Sequence, residues 1–199
     1  MFSMKTRASP GEQRETKKLF LPLFIATILI MSTFGIILGG FSSEESTTTQ
    51  GENIGGAYFS LSNGRWIVQG SGYTLNLQYG PEALRAVEPI DVNSLRQVSK
   101  VYISYKSGEN TLNAIPDFYQ NMKQFVKVTP ACVEDGSGCE ELPLKTCADA
   151  DSSVGVVMIT LSSEQHITQE GTCIHIQGDA EYITAVVDRI LLTYVGVTL

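Results

Sequence analysis

The sequence predicts an N-terminal transmembrane helix followed by an α/β (or α+β) domain with a mixed sheet. Three observations lead there. Leu19–Phe41 is a run of 23 residues without a charged side chain. Ala57–Tyr79 alternates apolar and polar residues across two turn signals. Ile183–Val195 repeats apolar residues at helical spacing.

Residues 1–18 are polar and too short to fold alone, and they read as a cytoplasmic tail. As an α-helix, Leu19–Phe41 spans roughly 34 Å, against a hydrocarbon core of about 30 Å. Lys5, Arg7, Arg14, Lys17 and Lys18 precede it with only Glu12 and Glu15, whereas Glu44 and Glu45 follow it and the next basic residue is Arg65. This bias predicts a single-pass protein of the cell membrane, with its N-terminus cytoplasmic and its C-terminal domain outside. The lipid bilayer is then the first partner. A cleaved signal peptide is the alternative, but its apolar core is usually about 7–15 residues with a small-x-small cleavage site. Gly39-Gly40-Phe41-Ser42 matches that site poorly. Gly35 and Gly39, four apart, leave a flat strip where a second helix can approach, a candidate packing face for a homodimer.

Residues 42–56, rich in Ser, Thr, Gly and acid, have little to bury and read as a flexible linker. The extracytoplasmic domain is expected over 57–199. Nine basic and nineteen acidic residues follow the apolar run. That balance argues against nucleic acid as a partner, because a phosphate backbone needs a basic surface.

Within the domain, Asn63-Gly64 separates AYFSLS from RWIVQG, a hairpin signal because both turn positions need positive φ. Gly70-Ser71-Gly72 makes a second turn before Tyr73, Leu75, Leu77 and Tyr79, which share one face. The result is a three-stranded antiparallel meander with one buried face. Pro81–Ser99 holds the breakers Pro89 and Asp91 and no clear element. Val101–Tyr105 is a strand. Asn113–Pro116 starts a helix carrying Ile115, Phe118, Met122, Phe125 and Val126, and a strand begins at Val126. Strand, helix and strand make a βαβ unit with a right-handed crossover. Cys132–Ser153 is a long irregular segment, expected to be cross-linked or functional. Val154–Leu161 is a strand, and His166–Ile176 contains the next. Asp179 caps a final amphipathic helix bearing Ile183, Val186, Val187, Ile190, Leu191, Tyr194 and Val195. The whole is one mixed sheet of six or seven strands with two main helices.

All four cysteines, Cys132, Cys139, Cys147 and Cys173, follow the apolar run. An even count in an oxidising compartment predicts two disulfides. No C-x-x-C pair points to zinc or thioredoxin-type chemistry. Of the three pairings, Cys132–Cys139 with Cys147–Cys173 is preferred: one closes a Gly-containing loop, the other ties a long connection to a strand.

NGRWIV, Lys100–Ser104, Pro130-Ala-Cys132, Leu142–Cys147, Cys173–Gly178 and Val187-Asp188-Arg189 occur in that order. Over residues 56–197 the chain resembles a group of uncharacterised archaeal proteins with one N-terminal membrane span and a small outward α/β domain. The resemblance implies an exported domain and supports the cysteine frame. It implies no catalytic residue.

Candidate sites are few. Cys173 and His175, two apart on a strand, share a face; a Cys–His nucleophile or metal pair competes with a disulfided cysteine beside a half-buried histidine. His166 is expected at the surface. Asp188 and Arg189, adjacent on the helix, point about 100° apart and can reach different partners. A structural ion pair or solvated face is expected of them; a cap or loop contact by Asp188 and a ligand role are the alternatives. Glu134-Asp135-Gly136-Ser137-Gly138 with Glu140-Glu141 could supply oxygen ligands to Ca²⁺ but departs from the EF-hand spacing, so a solvated loop is expected. No phosphate loop, HExxH or GxSxG is present. No catalytic, cofactor or metal residue is assigned. The expected function is an interaction or structural module of the cell envelope with an undefined protein or envelope partner. An exported enzyme or redox protein working near Cys173 and His175 is the alternative.

Overall fold

In the computed structural model, residues 51–109 and 112–199 are described. The tail 1–18, the apolar run Leu19–Phe41 with Gly35 and Gly39, and linker residues 42–50 lie outside them. Among the described residues no helix is long and apolar enough to cross a membrane.

Strand β1 (Glu52–Ile54) pairs antiparallel with β2 (Ala57–Ser62). The linker expected over 42–56 therefore ends sooner. Gly55 and Gly56, at φ 56° and 83°, form a two-residue turn whose positive φ values suit the right-handed strand twist. Asn63 and Gly64 repeat the device, at φ 51° and 73°, between β2 and β3 (Arg65–Gly70). β4 (Tyr73–Leu77) completes a four-stranded antiparallel sheet in the order β1-β2-β3-β4, one strand more than the expected meander. Phe59, Val68, Leu75 and Leu77 bury one face, while Ser60, Gln69 and Thr74 point outward.

The unreadable stretch after β4 contains a short helix α1 (Pro81–Arg85), begun by a proline in its first turn where a missing N–H costs nothing. Ile90, Val92, Leu95 and Val98 then sink into the core without forming a regular element.

The second sheet has five strands in the order β6-β5-β7-β9-β8. The expected single sheet is thus two. β5 (Lys100–Tyr105), α2 (Ala114–Met122) and β6 (Lys127–Cys132) form the βαβ unit, with β5 and β6 parallel. β7 (Val154–Leu161) lies on the other side of β5. The segment 166–176, expected to hold one strand, holds the hairpin of β8 (His166–Glu170) and β9 (Cys173–Gly178). Asp179 accepts a 2.8 Å hydrogen bond from the Tyr182 N–H and starts α3 (Ala180–Tyr194). Arg96 closes the other end by donating to the carbonyls of Thr193 (2.6 Å) and Tyr194 (2.8 Å).

Helix α2 touches β4, β5 and β6; α3 touches β9, α1 and α2. Phe118 and Met122 of α2 and Ile183, Val186, Val187, Ile190 and Leu191 of α3 are buried in one core with both sheets. α2 stops at Met122, short of the expected Phe125 and Val126. Phe125 is instead partly exposed, with ring centroids 6.1 Å from Tyr73 and 5.6 Å from Tyr194.

The β1–β2 turn is packed as well as twisted. A Cβ on Gly55 would lie 2.8 Å from the Thr198 carbonyl oxygen. Gly55→Ala therefore combines left-handed backbone strain with a backbone clash and is expected to cost about 1–3 kcal/mol. Urea unfolding measures this, and an unchanged midpoint would show that the turn is not held against the C-terminus.

Candidate functional site

β4 is the last strand of its sheet, so one side of its backbone has no strand partner. In an extended strand alternate residues turn their N–H and C=O groups to the same side. Here Thr74, Asn76 and Gln78 turn theirs toward the helices. Asn121 of α2, 5% exposed, accepts from the Asn76 N–H through Oδ1 (2.8 Å) and donates to the Asn76 carbonyl through Nδ2 (3.0 Å). Its amide imitates the peptide group of a missing strand. Gln124 donates to the Thr74 carbonyl at 3.0 Å. Asp188 of α3, fully buried, accepts from the N–H groups of Gln78 (2.8 Å) and Tyr79 (2.9 Å) through Oδ2. Arg65 ties in the outer face, donating to Asn76 Oδ1 at 2.9 Å and meeting Asp117 of α2 at 2.8 Å.

Asp188 carries the largest electrostatic strain in this seam. Burial pushes its carboxyl up to about 7, with Asp117 adding to the rise; the two backbone N–H donors and Arg65 oppose it. Among the described residues its Oδ1 has no hydrogen-bond partner. The main expectation for Asp188, an ion pair or a solvated face, is not met: the side chain is buried and takes the loop contact that was the alternative, at Gln78–Tyr79. Arg189, half-buried, has no hydrogen-bond partner for Nε and Nη1 among the described residues, and burial holds its guanidinium below the ordinary range.

The loop fixed by Asp188 leads into a cleft of about 480 Å³ between α1 and the N-terminal turn of α3. Tyr79 and Tyr182 line it, with Ala83, Val87 and Ala185 as apolar surface and Glu88, Asp179 and Glu181 as carboxylates. The Tyr79 hydroxyl is pushed up by burial and then by Glu181, Asp188 and Asp179; that of Tyr182 by burial and then by Glu88. Sequence reasoning missed this cleft because one wall, Ala83 to Glu88, falls in the unread stretch. Gly80-Pro81 was the available signal for a helix start there.

The cysteines lie elsewhere. Cys132 pairs with Cys139 (Cα–Cα 6.0 Å) and Cys147 with Cys173 (5.3 Å), the pairing preferred from the sequence. Cys173 and His175 do share the outer face of the five-stranded sheet, but the sulfur is bonded and the His175 Nε2 lies 3.1 Å from Thr160 Oγ1. Burial and the neighbouring His166 hold the His175 imidazole below its usual range, so it is neutral at neutral pH. His166 is exposed on β8. In the acidic loop, Glu140 accepts from the Gly138 N–H at 2.8 Å. Among the described residues no three His, Cys, Asp or Glu side chains converge as a metal site. No protein-family model, curated protein or solved structure matches the chain.

The seam predicts a pH signature. Between the usual aspartate range, near 4, and about 7, folded Asp188 keeps a proton that the unfolded chain has lost. Its contribution to stability is therefore full below pH 4 and declines as pH rises to about 7. A shift of this size corresponds to up to about 4 kcal/mol. Asp188→Asn retains an acceptor for the two N–H groups and does not titrate. The stability of the wild type relative to this variant should fall by a few kcal/mol from pH 4 to 7.5 in denaturant titrations. Parallel profiles would show that Asp188 is ionised throughout. Asp188→Ala, which strands both donors, should cost about 2–6 kcal/mol at pH 7.

Proposed function

We propose that this chain is a single-pass membrane protein whose outward domain is a non-enzymatic interaction module of the cell envelope, in keeping with the archaeal resemblance. The apolar run Leu19–Phe41 and the basic residues before it support the anchor and its orientation. Two disulfides in the domain support an oxidising compartment. The observation that carries the interaction role is the division of polar groups. Buried Asn121 and Asp188 seal the edge of β4, whereas Glu88 and Glu181 stand exposed along an open cleft. The exported-enzyme alternative needs a Cys173 thiol beside His175, and that sulfur is bonded to Cys147.

The test begins with protein extracted from its native membranes and alkylated without reduction. Its intact mass should equal the full chain with no alkyl group added. Loss of the first 40 or so residues would overturn the anchor, and alkylated cysteines would return the redox alternative. In-cell cross-linking should then trap the domain with a second protein. A protein that stays monomeric and captures nothing would remove the module reading.

A further inference from the structure

We propose that the cleft between α1 and the start of α3 receives the cationic head of an arginine or lysine side chain from a basic segment of a partner protein. This rests on the interaction-module reading and names its surface and the chemistry of its partner.

Charge complementarity is the first argument. Glu88, Asp179 and Glu181 line the cleft and no Lys, Arg or His does. The ion pairs among the described residues are Arg65–Asp117 and Lys145–Asp149, so Glu88 and Glu181 form none there. Asp179 is already occupied, holding the Tyr182 N–H and, at 3.3 Å, the Gln165 amide. An anion is disfavoured at the same place. The helix N-terminus that would attract it is capped by Asp179, and two unpaired carboxylates would repel it.

The second argument is the kind of surface between the charges. Tyr79 and Tyr182 are half-buried lining residues whose hydroxyls stay protonated well above neutral pH. Neutral aromatic rings attract organic cations through their faces, and arginine most readily. Ala83, Val87 and Ala185 supply apolar surface for the methylene stem that carries such a head. A hydrated metal ion has no use for that apolar surface. A cleft of about 480 Å³ holds one such side chain together with part of the backbone that bears it.

The test uses the full-length protein in nanodiscs of uncharged lipid, so that the bilayer offers no competing negative surface. The probe is a fluorescein-labelled glycine–arginine peptide, compared with the same peptide containing neutral citrulline. Fluorescence anisotropy should show saturable binding of the arginine peptide and at least tenfold weaker binding of the citrulline one. Glu88→Gln with Glu181→Gln should weaken arginine binding at least fivefold. Glu134→Gln with Glu141→Gln, which removes the same charge from the exposed cysteine loop, should leave it within twofold. Equal losses in the two double variants would mean diffuse attraction to an acidic surface and would overturn the proposal. Butylguanidinium binding as tightly as the peptide would also overturn it, since the site would then serve a small organic cation. If the arginine peptide fails to bind while cross-linking still captures a partner, the cleft assignment falls and the module reading stands. If both fail, both fall.

Discussion

A β-strand at the margin of a sheet must do something with half of its backbone, and in this domain β4 gives that half to side chains. Asn121, Gln124 and Asp188 take up groups of Asn76, Thr74 and Gln78–Tyr79 at 2.8–3.0 Å. Each of those backbone groups, if left buried and unpaired, would cost about 1–3 kcal/mol. The arrangement also fixes the relation between two sheets that share no strand. Phe118, Met122, Ile183 and Val187 of α2 and α3 are buried in one core with both sheets, and Asn121 and Asp188 of the same helices add polar contacts to β4 and the turn after it. The apolar contacts supply most of the favourable energy, being extensive and undirected. The polar contacts supply register, because an amide matched to one peptide group does not match the next.

The other margins are handled by different means. β1 is three residues long. β8 is exposed and polar, with His166, Thr168 and Glu170 outward. β6 contains Pro130, which lacks a donor, and its end is covered by the cysteine-bearing segment. There the Cys132 N–H donates to the Pro143 carbonyl at 3.0 Å and the Lys145 N–H to the Cys132 carbonyl at 2.8 Å. These are the usual ways of blunting an edge that would otherwise pair with another chain. The disulfides serve this cover. Cys132–Cys139 closes the loop as it leaves β6, and Cys147–Cys173 anchors its far end to the start of β9.

Elements whose signal is local were legible in the sequence. Asn63-Gly64 named its own turn, Asp179 its own cap, and the spacing of Ile183, Val187 and Ile190 their helix face. The division into two sheets was not legible, because pairing between distant strands leaves no local trace. The strand over 52–54 was hidden by its composition: Glu and Asn look like linker, and only pairing with Ala57–Phe59 makes them a strand. Asn121 and Gln124 were not singled out from the sequence, since nothing local distinguishes an amide facing water from one facing a strand edge. Asp188 was half legible. A loop partner was one of its readings, but a solvated face or ion pair was the main expectation, because its partner is a contact 109 to 110 residues away.

That distant contact joins the architecture to the cleft. Asp188 grips the backbone of Gln78 and Tyr79, and the Tyr79 side chain lines the cleft that Glu88 and Glu181 edge. Asp188 thus holds the backbone of the residue whose side chain lines the cleft, and its carboxylate also pushes the Tyr79 hydroxyl up. Next to Tyr79, Gly80 lies so close to Trp66 that a Cβ there would come within 2.5 Å of its ring, so the turn is held from the sheet side as well. A cleft wall held from two sides would, if the proposed binding occurs there, lose less entropy on binding than one that must order. The same buried carboxylate that completes the edge of a sheet thus holds the backbone of one of the two tyrosines that line the cleft.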